Sequence, residues 1–263
     1  MFNWKQFIID HFMTYAGLIV QGNGDEGDGL SKTGVFYYAL EKLGLMGEGE
    51  STYFCGAVQE TELGPGHWTR SSKEPWHSQW TVSRDQLLDA WQAFGAIRKY
   101  DPQAKEMLKE NWKWMKSNWF RASKDILGPH HWGVLIRANH KWFLYPLLWL
   151  CDIALFVNTI IMIKQQDAGR CLHNWYFILQ AEDICPTLFG WLSKLIYKKW
   201  VNMAWHLCEY FNTGKPGWAP APPMAELWCE FVEKNGWGKY KSQILWTYRW
   251  TEEFAKKYVG AVT

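Results

Sequence analysis

Apolar residues along this chain recur at helical spacing rather than in alternation. Trp4, Ile8, Phe12, Tyr15 and Ile19 lay one stripe along a first helix. Leu87, Trp91 and Phe94 do the same behind Ser83, a residue type that caps helix starts. From Asp101 to Phe120 the pattern is cleanest. Leu108, Trp112, Met115 and Trp119 form one face there, and Lys105, Lys109, Lys113 and Lys116 the other. Asp101-Pro102 supplies its start signal. Met224, Leu227, Trp228 and Phe231 repeat the pattern behind Pro222-Pro223, and Leu188 to Phe211 and Tyr240 to Tyr258 read as further helices. No alternating run is long enough to propose a sheet. The pattern predicts an all-α chain of about ten helices paired as hairpins, in an α/α-toroid-like or irregular array. It reads as one domain over 1–263, with Gly214 to Pro223 marking the edge of a small C-terminal helical subdomain from about 222.

Trp142 to Ile163 is long enough to cross a bilayer and is flanked by Lys141 and Lys164. Pro146, Asp152 and Asn158 interrupt it, and each polar group is costly in lipid. The expectation is an inner helix of a globular core, apolar all round because neighbours cover every face. A membrane partner is disfavoured.

Composition changes the picture mainly through tryptophan. The chain has 20 Trp among 263 residues, and such an excess suggests a surface or groove built of flat rings. A formal net charge of +2 argues against a dedicated nucleic-acid binder. Charge is nevertheless uneven: residues 1–60 hold eight acids and three bases, while Arg98 to Lys124 hold eight bases and three acids. Six cysteines at 55, 151, 171, 185, 208 and 229 contain no CxxC pair, and Cys151, Cys208 and Cys229 sit on apolar helical stretches. Reduced, buried thiols follow, and with them a cytoplasmic or virion-associated chain. The start, MFNWKQFIIDHF, lacks the features of a signal peptide.

Two loops carry candidate chemistry. In Gln21 to Gly29, the acids Asp25, Glu26 and Asp28 precede a helix at Leu30. The EF-hand spacing fails there, and the acids also suit the positive end of a helix dipole. In Gly64 to Ser83, His67, Trp68, Arg70, Trp76, His77 and Trp80 lead into Ser83-Arg84-Asp85-Gln86. Indoles stack on the C–H faces of sugars, and arginine pairs with carboxylate or phosphate. Ser83 as N-cap and Asp85 in the first turn are explained by the helix alone. Arg84 is not, because it opposes the dipole unless an anion pairs it. The alternative is a Trp-packed loop with no ligand. A third cluster is His130-His131 after Gly128-Pro129, with Arg137 and His140 downstream. Two adjacent histidines on a helix cannot both face one metal, and H-E-x-x-H is absent, so no metal is expected. His131 remains a general-base or ligand-contacting candidate. Asp152, and Glu182-Asp183 before Cys185-Pro186, read as paired polar groups of the core. The P-loop, the Rossmann fingerprint and G-x-S-x-G are missing, so no cofactor is expected.

GDEGDGLSKTGVFYYAL resembles the "G-D-…-R-x-G-x-F-Y-…-A-L" opening of a bacterial and phage-borne group of α-helical proteins, with Lys32 near the expected Arg. WTVSRDQLLDAWQAFG resembles that group's "S-R-D-Q" helix, and GPHHWGVLIRANHKWFLYPLLWLCDIALFVN its "G-P-…-R-A-…-P-L-L-…-D" stretch. The similarity spans roughly residues 22 to 190 and dictates no reaction. Helical hairpins with Trp-rich loops are also similar to α/α toroids that bind or cleave glycans, an analogy of architecture.

These readings converge on a glycan-active protein with a carbohydrate ligand in one groove. As an inverting hydrolase it would use Asp28 and Asp85, their carboxyls roughly 6.5–9.5 Å apart. Asp25, Tyr37, His67, Trp68, Arg70, Trp76, His77, Trp80, Arg84 and His131 would contact substrate. As a uronate lyase, His67, His77 or Tyr37 would take the proton while Arg84 neutralises the uronate. The alternative from another class is a non-catalytic virion or assembly component whose Trp residues anchor core and protein interface.

Overall fold

The computed structural model describes residues 5–6, 9–10, 13–19, 27, 29–78, 81–164, 187–188 and 191–192. The predicted helices at Met224 to Phe231 and Tyr240 to Tyr258, the subdomain edge near 222, most of Leu188 to Phe211, Glu182-Asp183 and the last four cysteines lie outside these residues.

Among the described residues the chain is mostly helical, with six α-helices: α1 (Gly29–Leu43), α2 (Glu50–Gln59), α3 (Arg84–Ile97), α4 (Pro102–Ser117), α5 (Pro129–Ala138) and α6 (Tyr145–Lys164). A minimal antiparallel ladder, β1 (Arg121–Ala122) and β2 (Asp125–Ile126), joins α4 to α5. No alternating run announces two-residue strands, so the expectation of no sheet is corrected by this one turn. It is a tight one, with Trp119, Phe120 and Ser123 at φ 52°, 53° and 53°.

The first predicted helix does not continue to Ile19. Residues 5–6 and 9–10 are helical, but Gly17 takes φ +84° and Met13 pairs with Ile19 across a turn. A left-handed glycine cannot continue the helix that the apolar spacing suggests. α3 and α4 match their signals. Ser83 forms a full capping box with Gln86, and Asp101 accepts hydrogen bonds from the Gln103 and Ala104 amides ahead of Pro102.

α3 is the centre of the core, buried from Gln86 to Ile97. α1 runs parallel to it: Gly34 opposes Asp89 and Ala90, while at the far end Glu41 meets Lys99 at 2.6 Å and the Tyr100 hydroxyl at 2.6 Å. A Cβ on Gly34 would lie 2.6 Å from the Asp89 carbonyl, so the backbones touch and only glycine fits. α5 is parallel to α3 on another side, joined by Asp85 to His131 at the starts and by Arg98 to the Ala138 carbonyl at the ends. The starts of three alternate helices, α1, α3 and α5, therefore gather at one end of the described residues.

α6 is not the all-round buried inner helix expected. Leu148, Cys151, Asp152 and Leu155 are its buried residues, one stripe at helical spacing. Trp149, Leu150, Val157, Ile160 and Ile161 are exposed, as are Trp142 and Phe143 just before it. Asp152 does behave as a paired core group: Arg137 donates to it at 2.8 Å and the Thr187 hydroxyl also donates. No helix among the described residues is long and apolar enough to cross a membrane. Cys55 and Cys151 are free and buried, and burial pushes their thiols up to about 12 and about 11.

Candidate functional site

The aromatic loop folds on itself. Trp68 is fully buried, stacked on Phe94 with ring centroids 4.9 Å apart, and its Nε1–H donates to Glu62 at 2.9 Å. Asn111 of α4 donates to the Gly66 carbonyl at 2.7 Å and accepts from Trp91 Nε1 at 2.7 Å, which pins the loop to two helices. Gly66 is needed there: its φ is +74°, and a Cβ would lie 2.3 Å from the Glu110 carbonyl carbon. His67 stacks on Trp114 at 4.3 Å, and its Nε2 is buried without a hydrogen-bond partner. Burial therefore lowers its pKa. Arg70 donates to the carbonyls of Thr81 and Gly27 and lies over the Trp76 ring at 5.4 Å. His77 Nδ1 lies 3.0 Å from the Ser71 carbonyl and 3.3 Å from the Thr69 hydroxyl.

Two substrate-contact assignments are thereby corrected. Trp68 belongs to the core. Tyr37 does too, its ring packed on Phe36 and Phe54, and burial raises its pKa and holds the phenol protonated, so it is no lyase base. His67, Arg70 and His77 are half-buried and engaged within the loop. Arg84 Nη1 donates to the Ile126 carbonyl at 3.0 Å, which offsets the unfavourable dipole position. Asp25, Asp28 and Trp80 lie outside the described residues. Gly27, between those two acids, is described, and its carbonyl accepts from Gln86 of α3 at 2.9 Å.

The structure does bring Asp85 and His131 together. Asp85 occupies the first turn of α3 and His131 the first turn of α5, and the parallel course of these helices sets the two side by side. With its proton on Nε2, His131 donates to Asp85 Oδ1 at 2.9 Å; the imidazole is 1% exposed, the carboxylate 60%. Burial is the main cause of the lowered His131 pKa, opposed by the Asp85 hydrogen bond and charge; Arg84 lowers it further and Asp125 raises it. His130 lies against this pair, its ring centroid 3.8 Å from that of His131.

No protein-family model matches the chain, and no curated protein or solved structure shows significant similarity to it.

One donor atom each from Asp85, His130 and His131 lies within 4.8 Å of the others. The two rings meet at a helix start behind Gly128, their centroids 3.8 Å apart. The pair His130-His131 was legible as a candidate cluster from its sequence position; Asp125 as a nearby charge was not. The G-P-H-H helix start is the signal for His130, and nothing in the sequence singles out Asp125.

Proposed function

We propose that this is a glycan-active protein whose working carboxylate is Asp85. The observation that carries the reading is an exposed acid held at 2.9 Å by a buried imidazole, where three helices begin. A carboxylate that is both accessible and fixed is suited to general acid or base work, since orientation is what catalysis by a positioned group requires. Among the described residues Asp125 is the acid whose charge also reaches this corner. An inverting hydrolase would pair Asp85 with it or with Asp28, the carboxyls roughly 6.5–9.5 Å apart. Half-buried Trp76 supplies a ring for a sugar face. Successive hairpins whose first helices run parallel support a toroid-like array of about ten helices as the scaffold.

Profiling the full chain on a glycan array, with product detection on the same samples, tests this reading. Binding that survives Asp85→Asn while turnover is lost supports it. Absence of any bound glycan for the folded wild type overturns it.

An assembly component is the second reading, favoured by the exposed apolar side chains of Trp142, Phe143 and α6. Such faces mark interaction surfaces when contiguous. Light scattering on Leu150→Glu with Ile161→Glu tests it: the pair should abolish association seen with the wild type.

A further inference from the structure

The three donors at the α3 and α5 starts form a set of two imidazoles and one carboxylate. Imidazole and carboxylate together suit first-row divalent ions, and a three-ligand set leaves a coordination position open to water or substrate. We propose that Asp85, His130 and His131 bind a divalent transition-metal ion, with zinc the best-fitting occupant, through one ring nitrogen of each histidine and a carboxylate oxygen.

Three observations carry this. The donors lie within 4.8 Å of one another. A tetrahedral ion with bonds of about 2.0–2.2 Å sets its ligands about 3.3–3.5 Å apart. Rotation of Asp85, which is exposed, and of His130, which is half-buried, would close the gap. Second, His131 is fixed and 1% exposed, and its Nδ1 is buried without a hydrogen-bond partner. A buried nitrogen left unsatisfied is costly. Ligation at Nδ1, with the proton kept on Nε2 for Asp85, would give that nitrogen its partner. Third, the site has room because residue 128 is glycine. A Cβ there would lie 3.3 Å from His131 Nδ1 and 3.4 Å from His130 Cε1. The Gly128 backbone, at φ −78° and ψ 171°, is open to any residue, so its lack of a side chain serves space rather than conformation. The local charge is mixed. Arg84 opposes a cation, but its guanidinium is engaged by the Ile126 carbonyl, and the Asp85 and Asp125 charges favour one.

The proposal shares Asp85 with the glycan reading but does not rest on it, since the ion alone is the probe. The full chain, stripped with chelator and dialysed, is titrated with zinc chloride against a chromophoric chelator. One ion per chain with a Kd of about 1 µM or tighter is expected. Asp85→Asn and His130→Ala should each weaken it about 10–100-fold. Gly128→Ala should weaken it by a smaller factor, and His67→Ala and His140→Ala should stay within about twofold. Cobalt in place of zinc should show the intense visible bands of a tetrahedral site. Circular dichroism checks each fold. Should His131→Ala fail to fold, Asp85→Asn and His130→Ala decide the question. Wild-type binding no tighter than that of those two variants, equal loss in His67→Ala or His140→Ala, or a cobalt spectrum like the hydrated ion would overturn the proposal. Zinc binding without glycan binding removes the glycan reading and leaves this one standing; the reverse removes only this one.

Discussion

The loop from Gly64 to Ser78 and the corner where α3 and α5 begin draw on the same side-chain types and use them oppositely. In the loop, Trp68, Arg70 and His77 are held by Glu62, Thr81 and Ser71, and Gly66 is seated against the backbone of α4. At the corner, Asp85 is exposed while His131 is buried behind it with one nitrogen unpaired. Residue type alone does not separate scaffold from site. What separates them is exposure: Trp68 of the loop is sealed in the core, while the corner presents an exposed carboxylate backed by a buried imidazole.

Substitutions sharpen that contrast. Trp68→Ala in the loop should have the largest effect, about 3–5 kcal/mol of stability, since it empties a packed ring site against Phe94 and removes one of the hydrogen bonds that Glu62 accepts. Denaturant melts measure it, and a loss below 1 kcal/mol would mean the loop is not scaffold. Gly66→Ala should cost about 2–3 kcal/mol, because a left-handed φ and a backbone overlap act together. An unchanged midpoint would reject that account.

The loop also predicts a pH response. Burial lowers His67 below the ordinary histidine value of 6.5, so the unfolded chain takes up a proton that the folded chain refuses. Stability contributed by keeping this ring neutral is thus complete above pH 6.5 and is lost as pH falls from 6.5 towards the lowered folded value. His67→Phe keeps the stack on Trp114 and should flatten part of the decline in Tm below pH 6.5. A decline as steep as that of the wild type would show that His67 is not its source. The corner should respond least: Asp85→Asn keeps an oxygen acceptor for His131 and should shift stability by no more than about 0.5 kcal/mol. A larger loss would make Asp85 a structural residue and break the comparison.

How much of this was legible depended on range. Helix starts were readable because caps act over three residues: Ser83 with Gln86, and Asp101 ahead of Pro102, stand where the sequence signals put them. The α6 segment was read correctly as a helix, and among the described residues it is covered along one stripe. The sequence did not show which stripe, because an apolar side chain carries no record of what packs on it. The Met13–Ile19 turn hid behind helical spacing because one left-handed glycine outweighs a hydrophobic stripe. For the site, Asp85 and His131 were both named, but their pairing across 46 residues needs the parallel course of α3 and α5. Tyr37 and Trp68 were misplaced because aromatics suited to a sugar also suit a core.

The contact at Gly34 has a further consequence, for how the molecule opens. Where the α1 and α3 backbones touch at Gly34, no side chain lies between them to slide or repack. Neither helix can loosen by a small adjustment of the other, so their amide protons should exchange with solvent in a single shared event. α6, attached through one buried stripe and the Arg137–Asp152 ion pair, has no such weld and should exchange its protons first. The order of opening is thus written in one missing methyl group.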